Sequence, residues 1–290
     1  MTTASDWVQG ARPRTLPAAA APVLVGTGAA AHLGEAHLGR AALALGVALA
    51  LQVGVNYAND YSDGIRGTDV DRVGPLRLTA SGTASPGTVK AAAFAAFGVA
   101  ALLGLVLVAL TGHWWLLAVG VVAILAAWGY TGGKSPYGYR GLGEVGVFLF
   151  FGLVAVLGTT YTQADELSWP AWVGAVSIGM LACALLMANN LRDVPTDVLV
   201  GKRTLAVRLG ERRSRQVYAV LVVVPVLLGG IVCAFASPWT LVVLGLLAPA
   251  VILAVTVLVG ARGRALVPVL AGTGLLELAF GVALGLGLAL

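Results

Sequence analysis

Charged side chains are scarce in this sequence. Only 11% of the 290 residues are charged, whereas 59% are hydrophobic, and the mean hydropathy is +0.91. A soluble globular domain carries about 25% charged residues, so this composition excludes that class and is typical of a protein with several membrane spans. The net charge of +5 reflects membrane topology, because basic residues collect in cytoplasmic loops. Nucleic acid is therefore not an expected partner.

Cysteine and histidine are also scarce. The two cysteines, Cys183 and Cys233, both fall inside apolar segments, and the three histidines lack the spacing of metal ligands. No Cys-x-x-Cys pair occurs in the chain. The sequence therefore implies neither a disulfide framework nor a zinc site.

Long apolar runs, by contrast, are abundant. A membrane-spanning helix needs about 20 mostly apolar residues, and nine segments approach or exceed this length. The predicted segments are 15–32, 41–58, 91–110, 114–131, 145–161, 169–189, 217–235, 239–260 and 266–290. We therefore predict an all-α polytopic membrane protein, in which nine transmembrane helices form a bundle. Residues 1–290 are expected to make a single integral membrane domain.

Lysine and arginine are confined to one side of these segments. Of the 18 basic residues, 17 fall in the N-terminus or in alternate loops, and only Arg40 lies on the opposite side. Because basic loops stay in the cytoplasm, we predict a cytoplasmic polar cap and N-terminus, with the C-terminus outside the cell membrane. Residues 16–31 have features of a cleaved signal peptide, but the equally apolar segments downstream favour a retained first helix.

The few acidic residues are concentrated at two helix ends. Four of the thirteen lie within twelve residues after the second apolar segment, and a second cluster ends the sixth. Both contain Asn-x-x-x-Asp, at Asn59 and Asp63 and at Asn189 and Asp193. Residues four apart share one face of a helix, so each pair is expected to project together. Ionisable groups at membrane depth are costly and tend to be functional.

These clusters predict a magnesium site. Ligand sets made only of oxygen favour magnesium over zinc or iron, and magnesium usually shares its shell with substrate phosphates. A diphosphate is therefore the expected further ligand. Basic residues that could hold its charge are Arg72, Lys134, Arg192, Lys202 and Arg203. Pro195 discourages helical geometry at Val194, so the second cluster is expected to lie on a broken helix end.

Two further polar features interrupt the apolar pattern. The loop 130–141 contains glycines, a proline, Lys134 and three tyrosines, and it lies on the same side as the aspartates. Glu277 stands alone near the middle of the last segment. An acid at that depth is a functional candidate, and a hydrogen bond between packed helices is the alternative.

The acidic motifs resemble those of the UbiA-type intramembrane aromatic prenyltransferases of the ubiquinone and menaquinone pathways. That family carries Asn-Asp-x-x-Asp-x-x-x-Asp and, later in the chain, Asp-x-x-x-Asp. The matching residues are Asn59, Asp60 and Asp63 for the first motif and Asp193 and Asp197 for the second. The chain departs from the pattern at Gly67, where the last aspartate is expected, and Asp69 is the candidate to replace it.

Other parts of the chain carry the same resemblance. The family's Tyr-x-x-x-Lys element fits Tyr130 and Lys134, and its arginine before the first helix fits Arg12 or Arg14. Similar stretches occur at 11–17, 56–63, 130–144 and 202–206. They are most similar to the branch of the family that acts on 1,4-dihydroxy-2-naphthoate, and the family's nine-helix architecture agrees with the nine predicted segments.

This resemblance implies a magnesium-dependent transfer of a polyprenyl group from polyprenyl diphosphate to 1,4-dihydroxy-2-naphthoate. The products would be demethylmenaquinone, diphosphate and carbon dioxide. The implied catalytic residues are Asp60, Asp63, Asp193, Asp197, Lys134 and Tyr130. The implied metal ligands are Asn59, Asp60, Asp63, Asp69, Asn189, Asp193 and Asp197. The implied substrate-binding residues are Arg12, Arg14, Asn56, Arg72, Tyr137, Arg192 and Lys202.

Two alternatives remain open from the sequence. The same chemistry could act on another aromatic acceptor, such as 4-hydroxybenzoate, haem or a chlorin. A cation-coupled transporter also places carboxylates in a helix bundle, but its site lies near the bilayer midplane. Both clusters here lie at one membrane face among basic residues, which favours an anion bound together with a metal.

Overall fold

The computed structural model describes residues 2–67 and 76–290, and within these ranges the chain is helical with no β-strand. Asp69, Asp71 and Arg72 lie outside the described residues. The helices are α1 (Ala4–Ala11), α2 (Pro17–His32), α3 (Leu38–Ile65), α4 (Pro86–Thr111), α5 (Leu116–Gly129), α6 (Gly143–Ala164), α7 (Trp169–Leu199), α8 (Leu205–Phe235), α9 (Pro238–Leu258) and α10 (Gly263–Ala289).

Several of these helices are irregular. A π-helical turn, Phe148–Val154, interrupts α6, and α8 contains another, Leu228–Val232. Helix α8 is also kinked at Gly210, whose φ of 76° places it in the left-handed region that glycine tolerates. Helix α9 begins with a 3-10 segment, Pro238–Leu246.

The membrane class follows from the length and composition of these helices. Among the described residues, seven helices are long and apolar enough to cross a membrane, namely α3, α4 and α6 to α10. Helices α2 and α5 have 16 and 14 residues, fewer than the roughly 20 that a span usually needs. Each predicted segment coincides with one helix. The all-helical polytopic class is confirmed, whereas the count of nine spans stays a prediction.

Two apolar clusters hold the helices together. The larger joins buried residues of α2 to those of α6 to α10, and the smaller joins α3 and α4 to Leu78 and to Trp7 of α1. Helix α2 contributes mostly alanine and glycine, because its backbone lies close to its neighbours. A methyl group on Gly28 would lie 2.2 Å from the carbonyl oxygen of Gly285 in α10. Such small residues allow close van der Waals packing in a membrane.

Helices α3 and α7 continue past their predicted ends and carry the acidic clusters. Helix α3 runs to Ile65, and α7 runs to Leu199 with Pro195 inside it. The expectation of a broken helix at Pro195 is therefore wrong. Proline removes one backbone donor, so the carbonyl of Leu191, four residues earlier, loses its usual helical partner. Packed membrane helices tolerate proline because their neighbours hold the helix in place.

Gly28→Ala should destabilise the bundle, because the added methyl group overlaps the Gly285 backbone. Overpacking of this kind costs about 1–3 kcal/mol, and we expect a lower midpoint of thermal unfolding in detergent. Gly120→Ala in α5 is the matched control, since a methyl group there meets nothing within 4 Å. Equal midpoints for the two variants would contradict the close approach of α2 and α10.

Candidate active site

Asp60, near the end of α3, binds the backbone of the segment that contains residues 78 and 79. Its Oδ2 accepts a hydrogen bond from the backbone N–H of Leu78, and its Oδ1 accepts one from that of Thr79, both at 2.8 Å. The Asp60 side chain is almost fully buried, with the residue 1% exposed. Hydrogen bonds to a charged acceptor are stronger than neutral ones. Asp60 therefore has a structural role in addition to the role predicted for it.

Asp63 lies one turn further along α3 and contacts two side chains. Lys202 Nζ approaches its Oδ1 at 3.3 Å, and the Tyr139 hydroxyl donates to the same oxygen. The lysine nitrogen also lies 4.5 Å from the centroid of the Tyr139 ring, which is within the range of a cation–π interaction. Asp63 and Lys202 are both buried. The three residues form one buried charged group.

Asp193 on α7 is paired with the adjacent arginine. Arg192 Nε donates to its Oδ1 at 2.7 Å, and Arg192 Nη2 donates to its Oδ2 at 2.8 Å. The same Nη2 also donates to Oδ1 of Asn189 at 2.9 Å. A guanidinium group that binds a carboxylate through two nitrogens is held in a defined orientation.

The segment after α7 links the two acidic clusters. While the Lys202 side chain reaches Asp63 on α3, its backbone N–H donates to the carbonyl of Asp197 at 2.9 Å. The next residue, Arg203, donates its N–H to the carbonyl of Tyr139 at 2.9 Å. The ends of α3 and α7 and the loop after α5 are thereby joined at one polar layer.

The loop after α5 supplies both polar and aromatic contacts. The Thr131 hydroxyl donates to Oδ1 of Asn59 at 2.7 Å. The rings of Tyr130 and Tyr137 pack edge to face with their centroids 5.5 Å apart. Burial raises the pKa of Tyr137 to about 12, so its phenol stays protonated near neutral pH. Lys134, in the same loop, is exposed.

The N-terminal segment lies against α3 through Asn56. The side-chain nitrogen of Asn56 donates to the carbonyl of Ala11 at 2.8 Å and to the Thr15 hydroxyl at 2.9 Å. Arg12, partly buried, donates to the backbone carbonyl of Asn56 at 3.5 Å, whereas Arg14 is exposed. Asn56 thus positions the arginine segment.

The donor atoms suit a hard cation. Within residues 2–67 and 76–290, no three carboxylate, histidine or cysteine side chains lie together as a metal cluster. Buried aspartates and amide oxygens nevertheless line both helix ends, and such oxygens are the ligands that magnesium prefers. A carboxylate has about four lone-pair sites, so the two amide hydrogen bonds of Asp60 leave capacity for a metal.

Two site residues were not singled out from the sequence. Tyr139 contacts Asp63 across 76 positions, and Thr131 contacts Asn59 across 72. Both belong to the polar loop 130–141, and that location was the available signal. No periodic spacing relates either residue to its partner, because the contacts depend on the packing of separate helices.

Comparison with known proteins identifies the family. The model of the UbiA prenyltransferase family matches residues 19–287. This chain belongs to the UbiA prenyltransferase family. The resemblance drawn from the motifs is thereby confirmed, and this family member is a prenyltransferase. The architecture agrees, because a UbiA homolog from Archaeoglobus fulgidus bound to DMAPP and Mg2+ superposes with a TM-score of 0.70, covering 98% of this chain and 99% of that one at 15% identity.

Closer relatives are known by sequence. The 1,4-dihydroxy-2-naphthoate octaprenyltransferase of Mycobacterium tuberculosis is 54% identical over 291 residues, covering 100% of this chain and 98% of the relative. The protein of the same name from Escherichia coli is 42% identical over 233 residues, covering 78% of this chain and 74% of the relative. This chain is thus similar over its whole length to the Mycobacterium tuberculosis protein of that name.

Asp60→Ala should loosen the attachment of residues 78 and 79 to α3. Each buried N–H left without an acceptor costs about 1–3 kcal/mol, so we expect a lower unfolding midpoint and faster hydrogen exchange at the amides of Leu78 and Thr79. Asp165→Asn is the control, because the Asp165 side chain is exposed, surface ion pairs contribute little, and asparagine tolerates the left-handed backbone of this residue. Unchanged exchange at both amides would refute the structural role of Asp60.

Proposed function

We propose that this UbiA-family protein transfers a polyprenyl group from polyprenyl diphosphate to 1,4-dihydroxy-2-naphthoate, releasing diphosphate and carbon dioxide and forming demethylmenaquinone in its reduced, hydroquinone form. The observation that carries this proposal is the 54% identity over the full chain to a relative named for that acceptor. The polar layer supports it, because buried carboxylates and cations lie together at the ends of α3 and α7. Such a layer suits a metal-bound diphosphate.

We propose Mg2+ as the cofactor. The ligands would come from Asn59, Asp60, Asp63, Asp69, Asn189, Asp193 and Asp197. Bound there, magnesium supplies charge neutralisation for the leaving diphosphate. The proposal is supported by the oxygen donors of both clusters and by the solved relative with Mg2+ and DMAPP. Asp69 is included from the family motif, and Arg72 is included as a diphosphate-binding residue from its charge in the same loop, since both lie outside the described residues.

The basic residues of the layer would bind the diphosphate. Arg192 and Lys202 each contact one aspartate, and these side chains can turn from the carboxylate to a phosphate oxygen. The guanidinium of Arg192 suits two-point binding to phosphate, whereas Lys202 contributes a compact charge. Lys134 would approach from the exposed loop. These cations would stabilise the negative charge that develops as the allylic carbon–oxygen bond breaks.

Aromatic rings would protect the allylic cation. Tyr130 and Tyr137 lie beside the polar layer, and the faces of such rings attract positive charge. Burial raises the pKa of Tyr137 to about 12, so its phenol remains neutral even in moderately alkaline solution. A dry surrounding prevents water from capturing the cation before the aromatic acceptor does.

Arg12 would bind the carboxylate of the acceptor. It lies partly buried beside Asn56, and Asn56 holds the N-terminal segment against α3. Arg14 is the alternative, but its side chain is exposed. An arginine binds a carboxylate through two parallel hydrogen bonds, which would fix the orientation of the aromatic ring.

The distribution of basic residues supports a cytoplasmic location for this site. We propose one integral membrane domain of nine spans over residues 1–290, lying in the cell membrane with the N-terminus and active site in the cytoplasm and the C-terminus outside. The placement of 17 of the 18 basic residues on one side supports this topology. The polyprenyl chain would extend sideways from the site into lipid.

Purified protein should release diphosphate and carbon dioxide when it is incubated with a polyprenyl diphosphate, Mg2+ and 1,4-dihydroxy-2-naphthoate. Removing Mg2+ with a chelator should abolish this turnover. Without the metal, the negative charge that develops on the diphosphate is not neutralised, and the carbon–oxygen bond does not break. Product analysis with 4-hydroxybenzoate as a second acceptor tests specificity. Turnover of 4-hydroxybenzoate alone would reassign the acceptor, and no turnover of either acid would overturn the proposed reaction.

Asp63→Asn and Asp193→Asn should each reduce kcat by at least about 10²-fold, since each removes a carboxylate proposed to bind the metal. Each variant should still elute as a folded protein from gel filtration in detergent, with a lower unfolding midpoint, because Lys202 or Arg192 loses its buried carboxylate partner. Asp165→Asn, at an exposed position far from both clusters, is the matched control and should retain its activity. Full activity of either cluster variant would refute the assignment of that aspartate.

A further inference from the structure

Glu144 is a buried carboxylate that the proposed mechanism does not yet use. It lies in the first turn of α6 and is 8% exposed. Two residues of α7 hold it, because Asn190 Nδ2 donates to its Oε1 at 3.0 Å and Cys183 Sγ donates to its backbone carbonyl at 3.2 Å. Within the part of the chain that the structure describes, its Oε2 is buried without a hydrogen-bond partner. Buried polar atoms are normally paired.

The position of Glu144 relates it to the polar layer. Its partner Asn190 precedes Asp193 by three residues, and these two positions share one face of α7. Three residues of helix rise about 4.5 Å, so Asn190 lies about one turn further into the membrane than Asp193. The residue before Glu144 contacts the site as well, since a methyl group on Gly143 would lie 3.4 Å from the Tyr130 hydroxyl.

We propose that Glu144 binds the aromatic acceptor, with Oε2 accepting a hydrogen bond from a ring hydroxyl. This inference rests on the proposed function. In the reaction, the first carbon of the prenyl chain must lie about 3–3.5 Å from the attacking ring carbon. With the diphosphate at the layer of Asp63 and Asp193, the ring must therefore lie just beneath that layer. Glu144 is at that depth, and its unpaired oxygen supplies the acceptor atom that a phenolic hydroxyl needs.

The contact would act on the bond-forming step. The carbon–oxygen bond to diphosphate breaks, and its electron pair leaves with the diphosphate. The ring carbon that bears the carboxylate then bonds to the prenyl carbon, and positive charge spreads onto the ring hydroxyl. Glu144 stabilises that charge. Carbon dioxide departs and leaves its bonding pair to restore the aromatic ring, so the step requires neither an oxidant nor a net proton.

A second buried glutamate provides the comparison. Glu277 is fully buried in α10, and neither of its carboxylate oxygens has a hydrogen-bond partner among the described residues. The hydrogen bond between helices considered for it from the sequence is therefore not observed. It follows Gly274 by three residues, and a methyl group on Gly274 would lie 3.5 Å from the backbone carbonyl oxygen of Arg14. Glu277 is therefore not remote from the N-terminal segment. In the described part of the chain, only Glu144 of the two glutamates is oriented by a side-chain hydrogen bond, which comes from Asn190.

Glu144→Gln should lower kcat with 1,4-dihydroxy-2-naphthoate by about 10²-fold, as expected when a group that stabilises developing charge is lost. The KM for polyprenyl diphosphate and the unfolding midpoint should stay near wild type, because the diphosphate layer is intact. Asp165→Asn, at an exposed position, is the control and should retain kcat. Full activity of Glu144→Gln, or a loss that appears only in the KM for polyprenyl diphosphate, would overturn the proposal.

Acceptor analogues separate binding of the hydroxyl from a structural role. In single-turnover reactions, Glu144→Gln should slow the reaction of 1-hydroxy-2-naphthoate, which keeps the hydroxyl next to the reacting carbon, by about 10²-fold relative to wild type. The reaction of 4-hydroxy-2-naphthoate, which lacks that hydroxyl, should slow by less than about threefold relative to its own wild-type rate. Equal losses with both would assign Glu144 a structural role and overturn the proposal. If Glu144→Gln does not fold, Glu144→Asp, which keeps the carboxylate but shortens its reach, should give the same asymmetry.

The two proposals fail in different ways. Wild-type protein that does not turn over 1,4-dihydroxy-2-naphthoate contradicts the proposed function itself. Active wild-type protein together with a fully active Glu144→Gln variant contradicts only the role of Glu144.

Discussion

The contact between Lys202 and Asp63 is the interaction on which the polar layer depends. It joins the end of α3 to the segment after α7 across 139 positions of the chain, and Tyr139 completes it from a third segment. A buried ion pair is costly to form but much more costly to break, because one charge would then remain buried and unpaired. The pair therefore fixes the relative positions of three separate segments.

The apolar helices provide the frame within which this layer is held. Small residues let α2 approach α10 and α6 at backbone distance, and membrane helices associate through such close van der Waals packing. The ends of α3 and α7 carry the charged residues, which remain buried where the two helix ends meet. Asp60 stabilises the same layer, because it accepts hydrogen bonds from the backbone amides of Leu78 and Thr79. Helix packing and charge pairing thus support one arrangement.

Much of this arrangement could be predicted from the sequence, because it is encoded in local patterns. The apolar segments, the two acidic clusters and the family resemblance all depend on residues close together in the chain. The continuity of α7 through Pro195 could not be predicted, since it depends on the packing of α7 against other helices. Nor could the partners of Asp60, Asp63 and Glu144, because each contact joins residues that lie far apart in the sequence.

The ion pairs also explain how a highly charged site can exist before substrate binds. Buried aspartates without partners would destabilise the folded chain, and Lys202 and Arg192 neutralise two of them. In the proposed reaction, a metal would take over the carboxylates while the same two cations turn to the diphosphate. Each carboxylate would then be paired with the metal, and each cation would be paired with the diphosphate. Substrate binding would therefore leave no isolated charge in a poorly solvated region. The side chains that stabilise the free protein are therefore the ones best placed to receive the substrate.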